Sequence, residues 1–312
     1  MTTPTREPKT EQAYLKRAAE LGLAAARYFE MEDAGPVAPI TMVNYLISQL
    51  PTYRPASVRY NKAAMRCFFE KCIGEGDESG MYAEALAKLE EIHPVTRRKD
   101  LAPKTSAGKR KSIPLGDLIK LTESMLATPA FWPPRALRFL QANIAAGLRP
   151  GEWQKAEWIS DTQIHVTNAK QTNGRAHGVS RIVDVEPDHW LSETVPLHTN
   201  LLREWLAIEG NTFEDYYTNC RKALQRACRK LWPKRESHIT LYTGRHQFCA
   251  NLKAEDESPA AVAYAMGHGS EDTATTHYGK KRYGWKGQYR PTRNPAAPHL
   301  PAPDRKAKNS PV

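Results

Sequence analysis

Ser237-His-Ile-Thr-Leu-Tyr-Thr-Gly-Arg-His-Gln-Phe-Cys-Ala-Asn251 is followed by Ala263-Tyr-Ala-Met-Gly-His-Gly-Ser270 and then by Thr275-Thr-His-Tyr-Gly279. The stretch sets a cation, an imidazole and a phenol at three punctuated places. Thr243 can cap a helix with Phe248 and Leu252 on one face. That puts Arg245 in a first turn, where free N–H groups and the helix dipole favour an anion. Ser258 and Pro259 open a second helix whose apolar face holds Val262 and Met266, and Gly267 stops it. His268 therefore stands just past a helix end. Ser270 caps a third helix, with Glu271 and Asp272 in its first turn, Tyr278 in its last, and Gly279 closing it.

Outward from that stretch, 312 residues leave room for two domains, and 40% hydrophobic residues indicate a globular chain. No apolar run approaches a membrane span, and Met1-Thr-Thr-Pro-Thr-Arg-Glu7 holds no signal-peptide core. The expectation is a cytoplasmic, nucleoid-associated protein with no membrane partner. Five cysteines without paired zinc spacing read as reduced residues, and no metal or cofactor is expected. The net charge is +11, but residues 97–111 alone carry +6 and residues 279–312 carry +8, so the remaining chain nets −3. Basic charge gathered into connecting segments suits arms that track a phosphate backbone, and favours nucleic acid over a merely solvated tail. The candidate DNA contacts are Arg97, Arg98, Lys99, Lys104, Lys109, Arg110 and Lys111.

Taken in order, residues 1–9 look disordered. Residues 10–93 read as an all-helical domain, with helices over 11–30, 41–50, 56–73 and 81–92; Gly22 weakens the first. Lys62, Arg66 and Lys71 on the third helix permit a DNA-facing surface without demanding one. Residues 94–112 are a polar, basic linker. A second domain spans 113–283. Its expected helices are 115–126, one opened by Pro133 and Pro134 and ended by Gly147, 200–209 and 212–231. Between them, 163–167 and 181–186 alternate as two strands joined by a turn-rich connection that carries Lys170. Residues 284–312 form a basic, Pro-rich tail. The fold class expected is mainly α with a small antiparallel β-sheet (α+β).

Arg149, Lys170, Arg245, His268 and Tyr278 come from five separate motifs, yet they suit one task. Guanidinium forks bind phosphate oxygens and keep their charge at any working pH. A phenol becomes a useful nucleophile when nearby cations stabilise its phenolate. A lysine on a hairpin can protonate a leaving oxygen. Two arginines can carry transition-state charge without a metal.

These motifs resemble the tyrosine recombinases of the phage-integrase type. Ala145-Ala-Gly-Leu-Arg-Pro-Gly-Glu152 resembles the family's first box, which implies Arg149 as first catalytic arginine and Glu152 as its acidic neighbour. Leu241-Tyr-Thr-Gly-Arg-His246 resembles the second box, with Arg245 as second arginine and His246 beside it. Met266-Gly-His-Gly-Ser270 gives His268, Thr276-His-Tyr-Gly279 gives Tyr278 as nucleophile, and Lys170 matches the hairpin lysine. The order and approximate spacing of all five agree over residues 113–283. Two departures stand out. Tyr242 occupies the place where the second box usually has His, and the interval from His268 to Tyr278 looks about one residue longer than usual.

The resemblance implies a helical core-binding domain followed by a catalytic domain. It implies strand exchange on double-stranded DNA through a 3′-phosphotyrosyl link, by a homotetramer on two DNA sites, with accessory bending or directionality factors in some systems. Tyr242 belongs to the expected catalytic set. The tail after Tyr278 is expected to dock on a neighbouring protomer. Two alternatives remain open: a DNA-binding regulator of the same fold with weak catalysis, and strand relaxation like that of a type IB topoisomerase.

Overall fold

The computed structural model describes residues 7–31, 35–93, 109–169, 176, 178–185, 191–269 and 278–285. The expectations for Arg97, Arg98, Lys99, Lys104 and Lys170 lie outside them. So do those for the helix body over 270–277 and the tail from 286 onward. The chain divides into two compact units, Met1–Pro103 and Lys104–Val312.

The first unit holds α1 (Pro8–Tyr28), α2 (Pro39–Gln49), α3 (Pro55–Gly76) and α4 (Met81–Glu90). Proline opens each of the first three. At that position its missing N–H has no intrahelical partner to lose, and its fixed φ suits the helix. This is why α1 begins at Pro8, inside the nine residues expected to be disordered. Ala18, Leu21 and Ala25 line its buried face at helical spacing, and they meet Met42, Leu46, Met65, Phe69 and Leu89 in one apolar core. Gly22 does not break α1, and the Met42 side chain lies over it. Lys62, Arg66 and Lys71 of α3 have acidic or carbonyl partners. Lys62 Nζ donates to the carbonyls of Glu90 and Ile92 at 2.8 and 3.0 Å, where the end of α4 attracts a cation. Arg66 pairs with Glu90, and Lys71 with Glu75 at 3.8 Å.

The second unit is built on α6 (Trp132–Ala146), in which every residue from Phe139 to Ala146 is buried. A helix buried on all sides must be covered on all sides. α5 (Leu115–Leu126), α7 (Thr194–Leu206), α8 (Phe213–Leu231) and α9 (Leu241–Ala254) pack on it. Gly147 ends α6 in the left-handed region, φ +65°, as its position after the apolar run predicts. α9 crosses α6 at Gly244, where a side-chain carbon would come within 2.8 Å of the Leu140 carbonyl. The sheet is β1 (Ala156–Trp158), β2 (Gln163–Thr167) and β3 (Ser180–Asp184), antiparallel in that order, with Ala156 opposite Val166 and Ile164 opposite Val183. α10 (Pro259–Ala265) follows α9, and Ser258 caps it by accepting the Ala261 amide at 3.1 Å. The architecture is mainly α with a small antiparallel sheet, as the sequence predicts.

Several boundaries differ from expectation. β1 is only three residues long and follows a 3-10 turn at Pro150–Lys155, so no alternation marks it in sequence. β3 starts at Ser180 and ends at Asp184, against an expected 181–186. α7 starts at Thr194, six residues before the expected 200, because Pro196 falls in its first turn, where proline is tolerated. Both ends of the second unit also extend further. Residues expected in the linker already dock: Arg110 N–H donates to the His238 carbonyl at 3.0 Å. Trp285, placed by its sequence in the tail, is buried. Its amide donates to Asn251 Oδ1 at 3.0 Å and its indole to the Ile113 carbonyl at 2.9 Å. Ile113 N–H in turn donates to Gln247 Oε1 at 2.7 Å. Side chains of α9 thus satisfy the backbone of both segments.

Candidate active site

The cap of α9 is Thr240, not Thr243. Thr240 is extended (φ −123°, ψ 163°), and its N–H donates to Thr243 Oγ1 at 2.9 Å. Arg245 is therefore the fifth residue of α9, and its own N–H belongs to the helical ladder. The expectation of an arginine among free first-turn N–H groups fails for that reason. Tyr242, the second residue, takes that place. What Arg245 supplies is its buried side chain. The two terminal nitrogens donate to the carbonyls of Gly147, at the end of α6, and Met266, at the end of α10. One of them also donates to His268 Nε2 at 3.1 Å. Nε reaches Tyr278 Oη at 3.4 Å. One arginine thus ties together the first box, the histidine turn and the tyrosine.

A guanidinium cannot accept a hydrogen bond, so His268 Nε2 accepts from Arg245 and the imidazole proton sits on Nδ1. Nδ1 is buried and has no partner among the described residues. Burial, reinforced by the charges of Arg245, Arg149 and Arg181, holds this imidazole neutral and lowers its pKa to about 2. Its ring lies 4.7 Å from that of Tyr278.

Arg149 follows Gly147 by two residues, and its backbone and side chain both bind Glu152: N–H to Oε2 at 2.8 Å and Nη1 to Oε1 at 2.7 Å. Nη2 donates to the Gly267 carbonyl at 3.0 Å. Burial of Glu152 would raise its pKa, but Arg181, Arg245 and Arg149 overcome it and hold the carboxylate down to about 2. Three guanidiniums around one carboxylate leave the pocket cationic.

The two phenols meet directly, Tyr242 Oη and Tyr278 Oη being 2.7 Å apart. Burial opposes ionisation of Tyr278, but the Arg245 charge and hydrogen bonds from Tyr242 and Arg245 outweigh it, and its pKa falls below 10. Tyr242 moves the other way. Burial pushes it up to about 12, and the neighbouring Tyr278 adds to the rise. Of the two, Tyr278 is the phenol prepared to carry negative charge. His246 packs against Tyr278 at 4.9 Å, and burial with the charges of Lys111, Arg245 and Lys253 lowers its pKa to about 4.

The structure therefore brings Arg149, Glu152, Tyr242, Arg245, His246, His268 and Tyr278 into one cluster. Of the candidate DNA contacts, Lys109 and Lys111 are exposed. Arg110 is half-buried and bound to Asp117 Oδ2 at 3.0 Å, a carboxylate it shares with Arg235. That pairing turns Arg110 from a free phosphate contact into part of the docked segment. Sequence reasoning missed Arg181 on β3 and Asn168 at the end of β2. The signal for Arg181 was its place on the same strand face as Val183 and Val185, an arginine in apolar company. Among the described residues, no group of three or more His, Cys, Asp or Glu is placed to hold a metal ion. No described helix is long and apolar enough to cross a membrane.

No protein-family model matches the sequence, and no curated protein matches it. Solved structures do match. A lambda integrase tetramer bound to a Holliday junction is 15% identical with a TM-score of 0.55, over 90% of this chain and 74% of that one. A lambda integrase dimer bound to a core site is 15% identical with a TM-score of 0.54, over 90% and 92%. XerH recombinase bound to its palindromic difH substrate after cleavage is 16% identical with a TM-score of 0.51, over 88% and 77%. These likenesses span both units of the chain, and the fold is that of the tyrosine recombinases and phage integrases.

Proposed function

We propose that the chain is a site-specific DNA recombinase in which Tyr278 attacks a scissile phosphate. The observation that carries this reading is the half-buried phenol of Tyr278, 3.4 Å from Arg245 Nε and lowered in pKa by that charge. Tyr278 reacts as the phenolate. A bond forms from Oη to phosphorus, and the bond to the 5′-oxygen breaks. Arg149 and Arg245 bind the non-bridging oxygens, and His268 Nδ1–H, without a partner among the described residues, donates to one of them. Lys170 protonates the departing 5′-oxygen. The 5′-hydroxyl of a partner strand then reverses the step on the 3′-phosphotyrosyl link, so no external energy source is needed.

The partner in this reading is double-stranded DNA, bound by the first unit as a core-binding domain and by the second as the catalytic domain. The basic residues of 97–111 other than Arg110 contact the phosphate backbone in this reading. The assembly is a homotetramer on two sites, with accessory bending or directionality factors where the element demands them, and the work is done in the cytoplasm on the nucleoid.

One observation favours a second reading, a DNA-binding regulator of the same fold. Tyr242 stands where a histidine is usual, stays protonated to about pH 12, and holds the nucleophile's hydroxyl at 2.7 Å. A nicked suicide duplex from the ends of the encoding genetic element separates the readings. A denaturation-resistant protein–DNA adduct supports the recombinase, while specific binding without an adduct supports the regulator. Relaxation of supercoiled DNA lacking that sequence would instead indicate topoisomerase-like action.

A further inference from the structure

Arg181 lies on β3, wholly inside the protein, and its side chain reaches three segments at once. Nε donates to the Ala265 carbonyl at 3.1 Å, three residues before His268. One terminal nitrogen donates to Asn168 Oδ1, two residues before Lys170. The other donates to Glu152 Oε2 at 2.9 Å. Glu152 thereby accepts four N–H groups, two on each oxygen. Oε1 takes Arg149 Nη1 at 2.7 Å and the Ala169 amide at 3.1 Å; Oε2 takes the Arg149 amide at 2.8 Å and Arg181.

A carboxylate left to itself receives an arginine fork through both oxygens. Here Arg149 reaches only Oε1 with its side chain, because Oε2 is already filled. We infer that Arg181 is a positioning residue: by occupying Oε2 of Glu152 it stops Arg149 from closing bidentately onto that carboxylate. Arg149 then keeps its second terminal nitrogen on the Gly267 carbonyl, beside His268, where its charge acts on Tyr278. The other two bonds of Arg181 tie the stem of the Lys170 connection and the His268 turn to the same carboxylate. Deleting Arg181 opens one of the two acceptor positions of Oε2, the other staying with the Arg149 amide, and turns Glu152 from a support of the Arg149 side chain into a competitor for it. The inference rests on the reading of Arg149 as a phosphate-binding group.

The test compares wild type, Arg181→Met, Glu152→Gln and the double variant by single-turnover adduct formation on the nicked suicide duplex. Binding to the same uncut DNA is measured alongside. Arg181→Met is expected to form adduct about 100-fold more slowly, the scale of a misplaced reacting group, with DNA affinity unchanged. The double variant is expected to recover about tenfold over Arg181→Met, because a neutral amide no longer draws Arg149 away. An unchanged rate in Arg181→Met, or losses that simply multiply in the double variant, would overturn the inference. Where Arg181→Met does not fold, Arg181→Lys takes its place, keeping the buried charge but reaching one partner only. If wild type forms no adduct, the recombinase reading fails and inorganic phosphate binding decides. Weaker phosphate binding in Arg181→Met, recovered in the double variant, sustains the inference, and equal binding in all variants removes it.

Discussion

The two units solve the problem of a core in opposite ways. In the first, the buried side chains among the described residues are hydrophobic apart from Asn61. In the second, Arg149, Glu152, Arg181, Arg245, His198 and His268 are buried along with the apolar core. Burying charge is expensive and seldom stabilises as much as well-packed apolar residues would. A unit that buries three arginines in a cluster, and keeps two histidines neutral, holds that arrangement against the gradient of stability. The contrast supports the proposal that chemistry belongs to the second unit, while packing is the task of the first unit's core.

The contrast can be broken most severely at Arg245. Arg245→Met removes the donor to two buried carbonyls, each costing about 1–3 kcal/mol when orphaned. It also removes the charge nearest Tyr278, which should slow adduct formation by about 1000-fold. Urea melting and single-turnover trapping read the two losses separately. In the first unit, Phe69→Ala should cost about 3–5 kcal/mol as a core cavity while leaving phosphate binding by the pocket intact. All seven tryptophans lie in the second unit, so fluorescence follows that unit alone and circular dichroism follows both.

Acid should separate the units as well. The pKa values of His198, His246 and His268 are lowered to about 3, 4 and 2, and that of Glu152 to about 2. Each is depressed in the folded state, so its contribution is complete above the unfolded pKa and is lost as pH falls towards the folded one. For the histidines the loss begins below about pH 6.5, and for Glu152 below about 4.5. Tryptophan fluorescence should therefore report loosening of the second unit on acidification before the helical signal of the first is lost. Simultaneous loss of both signals would count against the contrast. The smallest effect is expected at Tyr242. Tyr242→His replaces a phenol that stays protonated with a group that titrates near neutrality. It should speed adduct formation by about tenfold, a fraction of what a well-placed acid–base group supplies.

Much of this was legible before any coordinates. α5, α8 and α10 fall within a residue or two of their expected limits, because their caps and apolar periodicity are local. The first and second boxes, His268 and Tyr278 were legible as motifs, and they do converge. What was hidden depends on tertiary partners. Arg181 reads as one cation in a short strand until Glu152 is found beside it. The sequence offers Thr243 as the cap, yet the chain enters α9 at Thr240, and that moves Arg245 out of the first turn. Trp285 sits in a Pro-rich, basic context, yet its indole and amide find Ile113 and Asn251.

The central claim is that Tyr278, rather than the phenol bound to it, is the nucleophile. The most direct measurement is adduct formation on one nicked suicide duplex by wild type, Tyr278→Phe and Tyr242→Phe, followed by mass spectrometry of the peptide that retains the nucleotide. The account predicts adduct in wild type and Tyr242→Phe, none in Tyr278→Phe, and the nucleotide on the peptide containing Tyr278. An adduct that persists in Tyr278→Phe, or that maps to Tyr242, would contradict it.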